Sequence, residues 1–177
     1  IYVGKSVPQN FPKGMKSIVD FANWEDKVDN FPMFDTDTIG EINNCNARAK
    51  FLKLSYPDLS DEMITFLKES KNVVVILTTN HLNRVGEQRA FFHKLLNSNC
   101  EIPVILQQNY NEDKAEDIQI KGGVDFGTLF LDGFGNGIMM SNEGKIDIND
   151  LDSYSFGILQ ASRVRTSKTE FISCPGC

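Results

Sequence analysis

The chain has 177 residues, enough for one domain with a substantial core. Hydrophobic residues make up 41% and charged residues 24%, the balance of a globular chain rather than a disordered or fibrous one. A net charge of -6 argues against nucleic acid as the main partner, and no apolar run approaches the roughly 18 residues of a membrane span.

Ile1-Tyr2-Val3-Gly4-Lys5 carries neither an initiator Met nor the pattern of a secretory leader, so the expectation is a piece of a longer protein. Residues 1–15 contain Pro8, Pro12 and Gly14, lack periodicity and read as an irregular lead-in. Lys16 to Phe21 is a short apolar run and a predicted strand. Asp29 to Asp37 holds Pro32 and several acids and reads as a loop. Thr38 to Arg48 reads as a short helix, and Phe51-Leu52-Lys53-Leu54 as a second strand. Ser60 then has the position of an N-cap, with Asp61 and Glu62 where the helix dipole favours negative charge. Met63, Phe66 and Leu67 carry that helix to Ser70.

Val73 to Leu77 is an unbroken apolar run rich in β-branched residues, the mark of a strand buried on both faces. Val85, Phe92, Leu95 and Leu96 give the next helix its apolar stripe. Ile102 to Leu106 is another buried strand. Lys114 to Asp132 is helical, with a loosening expected at Gly122-Gly123. Ile138-Met139-Met140 reads as a strand, Ile148 to Ala161 as a helix, and Phe171-Ile172 as the last strand. Strands alternating with helices predict an α/β fold of parallel strands joined by crossover helices. Two packings fit: a TIM-barrel-like (β/α) fold, complete or partial, and an open doubly wound sheet. Periodicity alone does not separate them.

Few residues in this frame carry chemistry. Gly133-Phe134-Gly135-Asn136-Gly137 is glycine-rich, but it follows a helix and opens a strand, the reverse of a phosphate loop. Gly133 therefore reads as the left-handed residue that ends the helix. Thr78-Thr79-Asn80 and Gln107-Gln108-Asn109 fall at the C-terminal ends of two buried strands, where α/β proteins bind ligands. Their side chains include no acid, base or strong nucleophile, and helix capping or loop hydrogen bonding is the favoured role. His81 and His93 are the only histidines, and nothing in the spacing pairs them as metal ligands. Asp147, Asp150 and Asp152 flank a helix start and read as capping. Cys45 and Cys100 read as reduced thiols. Arg163, Arg165 and Lys168 precede the final strand, where they either face an anion or serve as ordinary surface charge.

The remaining signal is Cys174-Pro175-Gly176-Cys177. Two thiolates at this spacing fit a zinc half-site, a redox dithiol or half of an iron–sulfur site. A metal site needs about four ligands, so the pair reads as part of a larger site.

Two stretches resemble one enzyme family. The first is Asp125-Phe126-Gly127-Thr128-Leu129-Phe130-Leu131-Asp132-Gly133-Phe134-Gly135-Asn136-Gly137-Ile138. The second runs from Leu159 to Cys177 and contains Arg163-Val164-Arg165-Thr166-Ser167-Lys168-Thr169-Glu170-Phe171-Ile172-Ser173-Cys174-Pro175-Gly176-Cys177. Both are similar to 4-hydroxy-3-methylbut-2-enyl diphosphate synthase, and the second is the more specific. The resemblance implies the three-domain form: a catalytic barrel, an inserted barrel-like domain and an iron–sulfur domain. Residues 1–15 would then be the lead-in, 16–168 the insert and 169–177 the start of the iron–sulfur domain.

The resemblance further implies that Cys174 and Cys177 ligate the iron of a [4Fe-4S] cluster, with a third cysteine and a glutamate supplied from beyond Cys177. It implies an oxidoreductase of isoprenoid biosynthesis that reductively opens 2-C-methyl-D-erythritol 2,4-cyclodiphosphate. Its expected partners are that cyclic diphosphate and ferredoxin or flavodoxin, with a homodimer left open and neither nucleic acid nor membrane expected. The compartment implied is the bacterial cytoplasm or the plastid stroma. The insert is expected to act as a spacer, inactive alone. The alternatives from the residues themselves are a stand-alone α/β module binding a small molecule near Thr79 and Gln107, and a redox protein built on the Cys-x-x-Cys pair.

Overall fold

A computed structural model describes residues 1–7, 11, 14–166 and 169. Its strands are β1 (Tyr2–Gly4), β2 (Ser17–Asp20), β3 (Asn30–Phe34), β4 (Lys50–Leu54), β5 (Val73–Leu77), β6 (Val104–Tyr110) and β7 (Gly137–Asn142). Its helices are α1 (Asp61–Glu69), α2 (Arg84–Asn97), α3 (Ala115–Leu131) and α4 (Ile148–Ala161). The strands are hydrogen-bonded in chain order, β1 through β7, and the pairings from β1 to β6 are parallel. A doubly wound sheet reverses its strand order at a switch point. No reversal occurs here, so the open doubly wound alternative is set aside and the fold is α/β, of the partial TIM-barrel-like kind.

The chain divides into two compact units, Ile1–Gln107 and Gln108–Cys177. In the first, the parallel registers line up two rows of buried side chains. Phe34 lies beside Leu52, Leu52 beside Val75, and Val75 beside Val104. Leu54, Leu77 and Leu106 form the second row. All seven are at most 1% exposed. Each such fully buried side chain contributes about 1.5–3 kcal/mol. Phe21 stacks on Phe34, ring centroids 4.4 Å apart.

The helix starts follow their sequence signals. Ser60 Oγ accepts the Met63 N–H at 3.1 Å and caps α1. Asn83 Oδ1 accepts the Gly86 N–H at 2.9 Å at the start of α2, and Asp147 Oδ1 accepts the Asn149 N–H at 2.8 Å at the start of α4. Of the three acids read as capping, Asp147 is thus the cap itself and Asp150 lies in the first turn.

Four expectations need correcting. The lead-in is not wholly irregular: β1 pairs with β2, Tyr2 opposite Ile18. The Tyr2 hydroxyl donates to Asp20 Oδ1 at 2.8 Å, and burial with this bond pushes the phenol up to about 12. The expected loop at 29–37 contains β3, Pro32 included. Pairing with β4 starts only at Met33, so Pro32 lies outside that ladder, where its missing N–H is tolerated. The expected helix at 38–48 is reduced to one 3-10 turn, Ile39–Glu41. Asn43, Asn44 and Asn46 compete for the backbone there, while Ile42, Cys45 and Ala47 are buried and hold the segment down. Finally, β6 starts after Pro103 and runs on to Tyr110. The predicted last strand at Phe171-Ile172 lies outside the described residues.

In the second unit α3 is one continuous helix, so Gly122-Gly123 does not interrupt it. Gly122 has a packing reason instead. A Cβ there would sit 2.8 Å from Met140 Cε and 3.3 Å from Ile158 Cδ1, so the glycine leaves room for the tips of two side chains from β7 and α4. Phe126 and Phe130 stack one turn apart on the same helix. The loops after β6 and β7 are clamped together. Asn142 Oδ1 accepts the Glu112 N–H at 2.8 Å, its Nδ2 donates to the Glu112 carbonyl at 2.9 Å, and Lys145 pairs with Asp113 at 3.2 Å. Gly144 lies so close that a Cβ would overlap the Glu112 backbone.

Gly144→Ala is expected to lower stability by about 1–3 kcal/mol, because the clamp must open to admit a methyl group against backbone. Gly123→Ala adds its methyl to open space inside a helix, so a gain of roughly 0.5–1 kcal/mol is expected. Urea unfolding of the two variants beside the parent chain measures both.

Candidate functional site

In a parallel (β/α) fold the C-terminal strand ends are the place to look for a site. Asp35 follows β3 and forms a closed turn. Its Oδ1 accepts from the Thr38 hydroxyl at 2.7 Å and from the N–H groups of Thr38 and Asp37 at 3.0 and 3.1 Å. Ser55 follows β4, and its N–H and hydroxyl both donate to Asp58 Oδ2, at 2.7 and 2.6 Å. Thr79 follows β5 and is buried; its hydroxyl donates to Glu87 Oε2 and accepts the His81 N–H at 3.1 Å. His81 Nδ1 in turn accepts the Asn83 N–H at 3.0 Å. The polar groups at these three strand ends therefore tie loops to themselves and to the next element.

Gln107-Gln108-Asn109 fall inside β6 rather than beyond it. Gln107 and Gln108 are buried. Asn109 Oδ1 accepts from the Ser141 hydroxyl of β7, and the Tyr110 carbonyl accepts the Glu143 N–H at 2.9 Å. Within the first unit the missed residue is Gln88. It is 1% exposed, on the inner side of α2, and its amide donates to the carbonyls of Leu77 at 3.1 Å and Gln107 at 3.4 Å. The signal was in the sequence: a Gln stands three after Val85 and four before Phe92, within the apolar stripe.

Gly133 has φ 84° and ends α3 as expected. Its N–H donates to the Phe130 carbonyl at 3.0 Å, and the Phe134 N–H reaches Leu129 at 2.9 Å. Arg163 does the same for α4, with φ 60° and its N–H on the Gln160 carbonyl at 3.0 Å. Its backbone thus has a structural task, and its side chain is exposed. His81 sits in the loop after β5 and His93 on α2. Cys45 and Cys100 are buried free thiols, and burial pushes the Cys100 thiol up, with Lys68 opposing.

No group of three or more His, Cys, Asp and Glu side chains is gathered as a metal needs, among the described residues. Cys174, Cys177 and Lys168 lie outside the described residues. No described helix is long and apolar enough to cross a membrane.

The Thr38 hydroxyl does most to hold the Asp35 carboxyl below its ordinary range; burial opposes it, and each backbone N–H adds a smaller downward pull. A lowered folded-state value means that the stabilisation is present above the ordinary carboxylate range and is lost as pH falls through the folded value. Thr38→Val is expected to move the Asp35 carboxyl upward, read by NMR titration of its side-chain carbon.

No family model and no solved structure matches the chain. Curated relatives match it from end to end. It is 46% identical over 177 residues to the 4-hydroxy-3-methylbut-2-en-1-yl diphosphate synthase (flavodoxin) of Parabacteroides distasonis, covering 100% of this chain and 29% of that protein. It is 45% identical, with the same coverage, to the protein of that name from Bacteroides thetaiotaomicron. A chloroplastic, ferredoxin form from Arabidopsis thaliana is 34% identical over 104 residues, 58% of this chain and 14% of that protein. The chain spans 28–29% of the length of the relatives it matches from end to end. It is therefore a homologue of the 4-hydroxy-3-methylbut-2-en-1-yl diphosphate synthases, aligned over its whole length with a segment of them.

Proposed function

We propose that this chain is the inserted (β/α) segment of a three-domain 4-hydroxy-3-methylbut-2-enyl diphosphate synthase, running into the start of its iron–sulfur domain. The observation that carries the reading is the end-to-end match, at 44–46% identity, to a segment of 28–29% of proteins with that name. The full-length protein would reduce 2-C-methyl-D-erythritol 2,4-cyclodiphosphate to 4-hydroxy-3-methylbut-2-enyl diphosphate, taking electrons from flavodoxin or ferredoxin. Its compartment would be the bacterial cytoplasm, or the plastid stroma for a plant protein.

Within that protein residues 16–168 act as a spacer. The use of Asp35, Ser55 and Thr79 in loop-closing bonds supports this role, because these strand ends are where a (β/α) enzyme would carry its reacting groups. Cys174 and Cys177 would supply two of the ligands of a [4Fe-4S] cluster, and their thiolate chemistry suits iron. When bound, such a cluster supplies single-electron transfer to the substrate. The contribution of this chain is to deliver two thiolates on a short segment and to set the distance between the flanking domains.

The isolated 177-residue chain is expected to hold no stable [4Fe-4S] cluster after anaerobic reconstitution and to turn over no cyclodiphosphate. Robust turnover by the chain alone would overturn the spacer reading. In the full-length protein Cys174→Ser and Cys177→Ser are each expected to abolish the cluster's visible absorption. Thr79→Ala breaks a half-buried bond and is expected to cost about 1–2 kcal/mol of stability while leaving kcat/KM unchanged. A loss of kcat/KM in a folded Thr79→Ala protein would favour the binding-module alternative.

A further inference from the structure

The four helices differ in what they show to solvent. The outer face of α1 carries Asp61, Glu62, Thr65, Lys68 and Glu69, all exposed. From Gly122 to Leu131 helix α3 carries one charge, Asp125, whose carboxylate accepts the Tyr110 hydroxyl at 2.9 Å. Its inner face is used: Ile118, Phe126 and Leu129 are fully buried. Over these residues its outer face is apolar as well, while Glu116, Asp117, Gln119 and Lys121 are exposed on the turns before. Ile120 is 61% exposed, Val124 57% and Leu131 77%. Gly123 and Gly127 lie between them, and a Cβ at either would meet nothing within 4 Å. The spacing from Ile120 to Val124, Gly127 and Leu131 puts all of them on one stripe, about 16 Å long.

From Gly122 to Leu131 the helix is apolar on both faces, the pattern of a segment that is covered on both sides. Two glycines in the stripe lower the surface enough for another backbone to come close. We infer that this outer face of α3 is an internal docking surface, covered in the full-length protein by an apolar helix face from elsewhere in the same polypeptide. The inference rests on the reading of the chain as an insert.

Two points select this occupant over a second copy. The relatives place most of their length outside the matched segment, so a tethered partner is always present at high effective concentration. The stripe also offers five residues, three large side chains and two glycines, against the roughly 20–30 residues a side of a standard association between separate chains.

The test uses the full-length protein carrying Val124→Cys, labelled with benzophenone maleimide, irradiated and mapped by mass spectrometry. Glu69→Cys on the charged face of α1 is the control, and the unsubstituted protein labelled alike gives the background. The expected result is cross-links from position 124 to residues of the same polypeptide outside this segment, roughly tenfold above the control. Covalent dimers from position 124 would overturn the inference in favour of a second copy. Products no more abundant than at position 69, or confined to these 177 residues, would overturn it in favour of an open face. Should Val124→Cys not fold, Leu131→Cys probes the same stripe. Turnover of the cyclodiphosphate by the unlabelled full-length protein checks the parent reading separately. Its absence with the cross-links intact would sink that reading and leave the docking surface standing.

Discussion

Strands hydrogen-bonded in chain order, parallel from β1 to β6, are the constraint on which the rest depends. A parallel neighbour cannot be reached by a tight turn, so each connection must cross back over the sheet. Side chains then fall into lateral rows, as Phe34, Leu52, Val75 and Val104 do, and burial of those rows holds the first unit together. The same constraint sends the C-terminal ends of these parallel strands to one side, with backbone groups that need partners. Asp35 accepts the N–H groups of Asp37 and Thr38, Asp58 accepts that of Ser55, and Thr79 that of His81. Gln88 meets that need from a helix, bridging two adjacent strands through their carbonyls.

The second unit depends more on close approach at glycines. Gly122 leaves room for the tips of two side chains from β7 and α4, and Gly144 lets the loop after β7 lie on Glu112. Its two helix endings use the same pair of hydrogen bonds, closed by Gly133 in α3 and Arg163 in α4. Glycine adopts the left-handed conformation without strain. Arginine there costs about 1–2 kcal/mol, which the two hydrogen bonds closing the helix end must offset.

Much of the fold was legible where one local signal dominated. The apolar run at 73–77 is β5 to the residue, and the periodicity over 148–161 is α4 to the residue. Ser60, Asp147 and Gly133 marked helix ends because capping chemistry is local. β3 was hidden because Pro32 and its acidic neighbours signal a loop, and only the pairing with β2 and β4 makes a strand of it. β6 continued through Gln107, Gln108 and Asn109 because ladder bonds, not side-chain polarity, decide where a strand stops. Of the strand-end polar residues, Thr79 bonds to the following loop and to Glu87 of α2, whereas Gln107, Gln108 and Asn109 lie inside β6.

By itself the sequence determined the α/β class, most of the helices, and the kinship carried by the stretches 125–138 and 159–177. These follow from periodicity, capping and specific residue order, all of which are local. Tertiary structure decided the winding, since only the pairing of distant strands separates sequential order from a reversed one. It also decided which glycine lies against another backbone, Gly144 on Glu112, because close approach depends on what arrives from another element. And it revealed the apolar outer face of α3, since a hydrophobic stretch becomes a surface only once its other side has been packed.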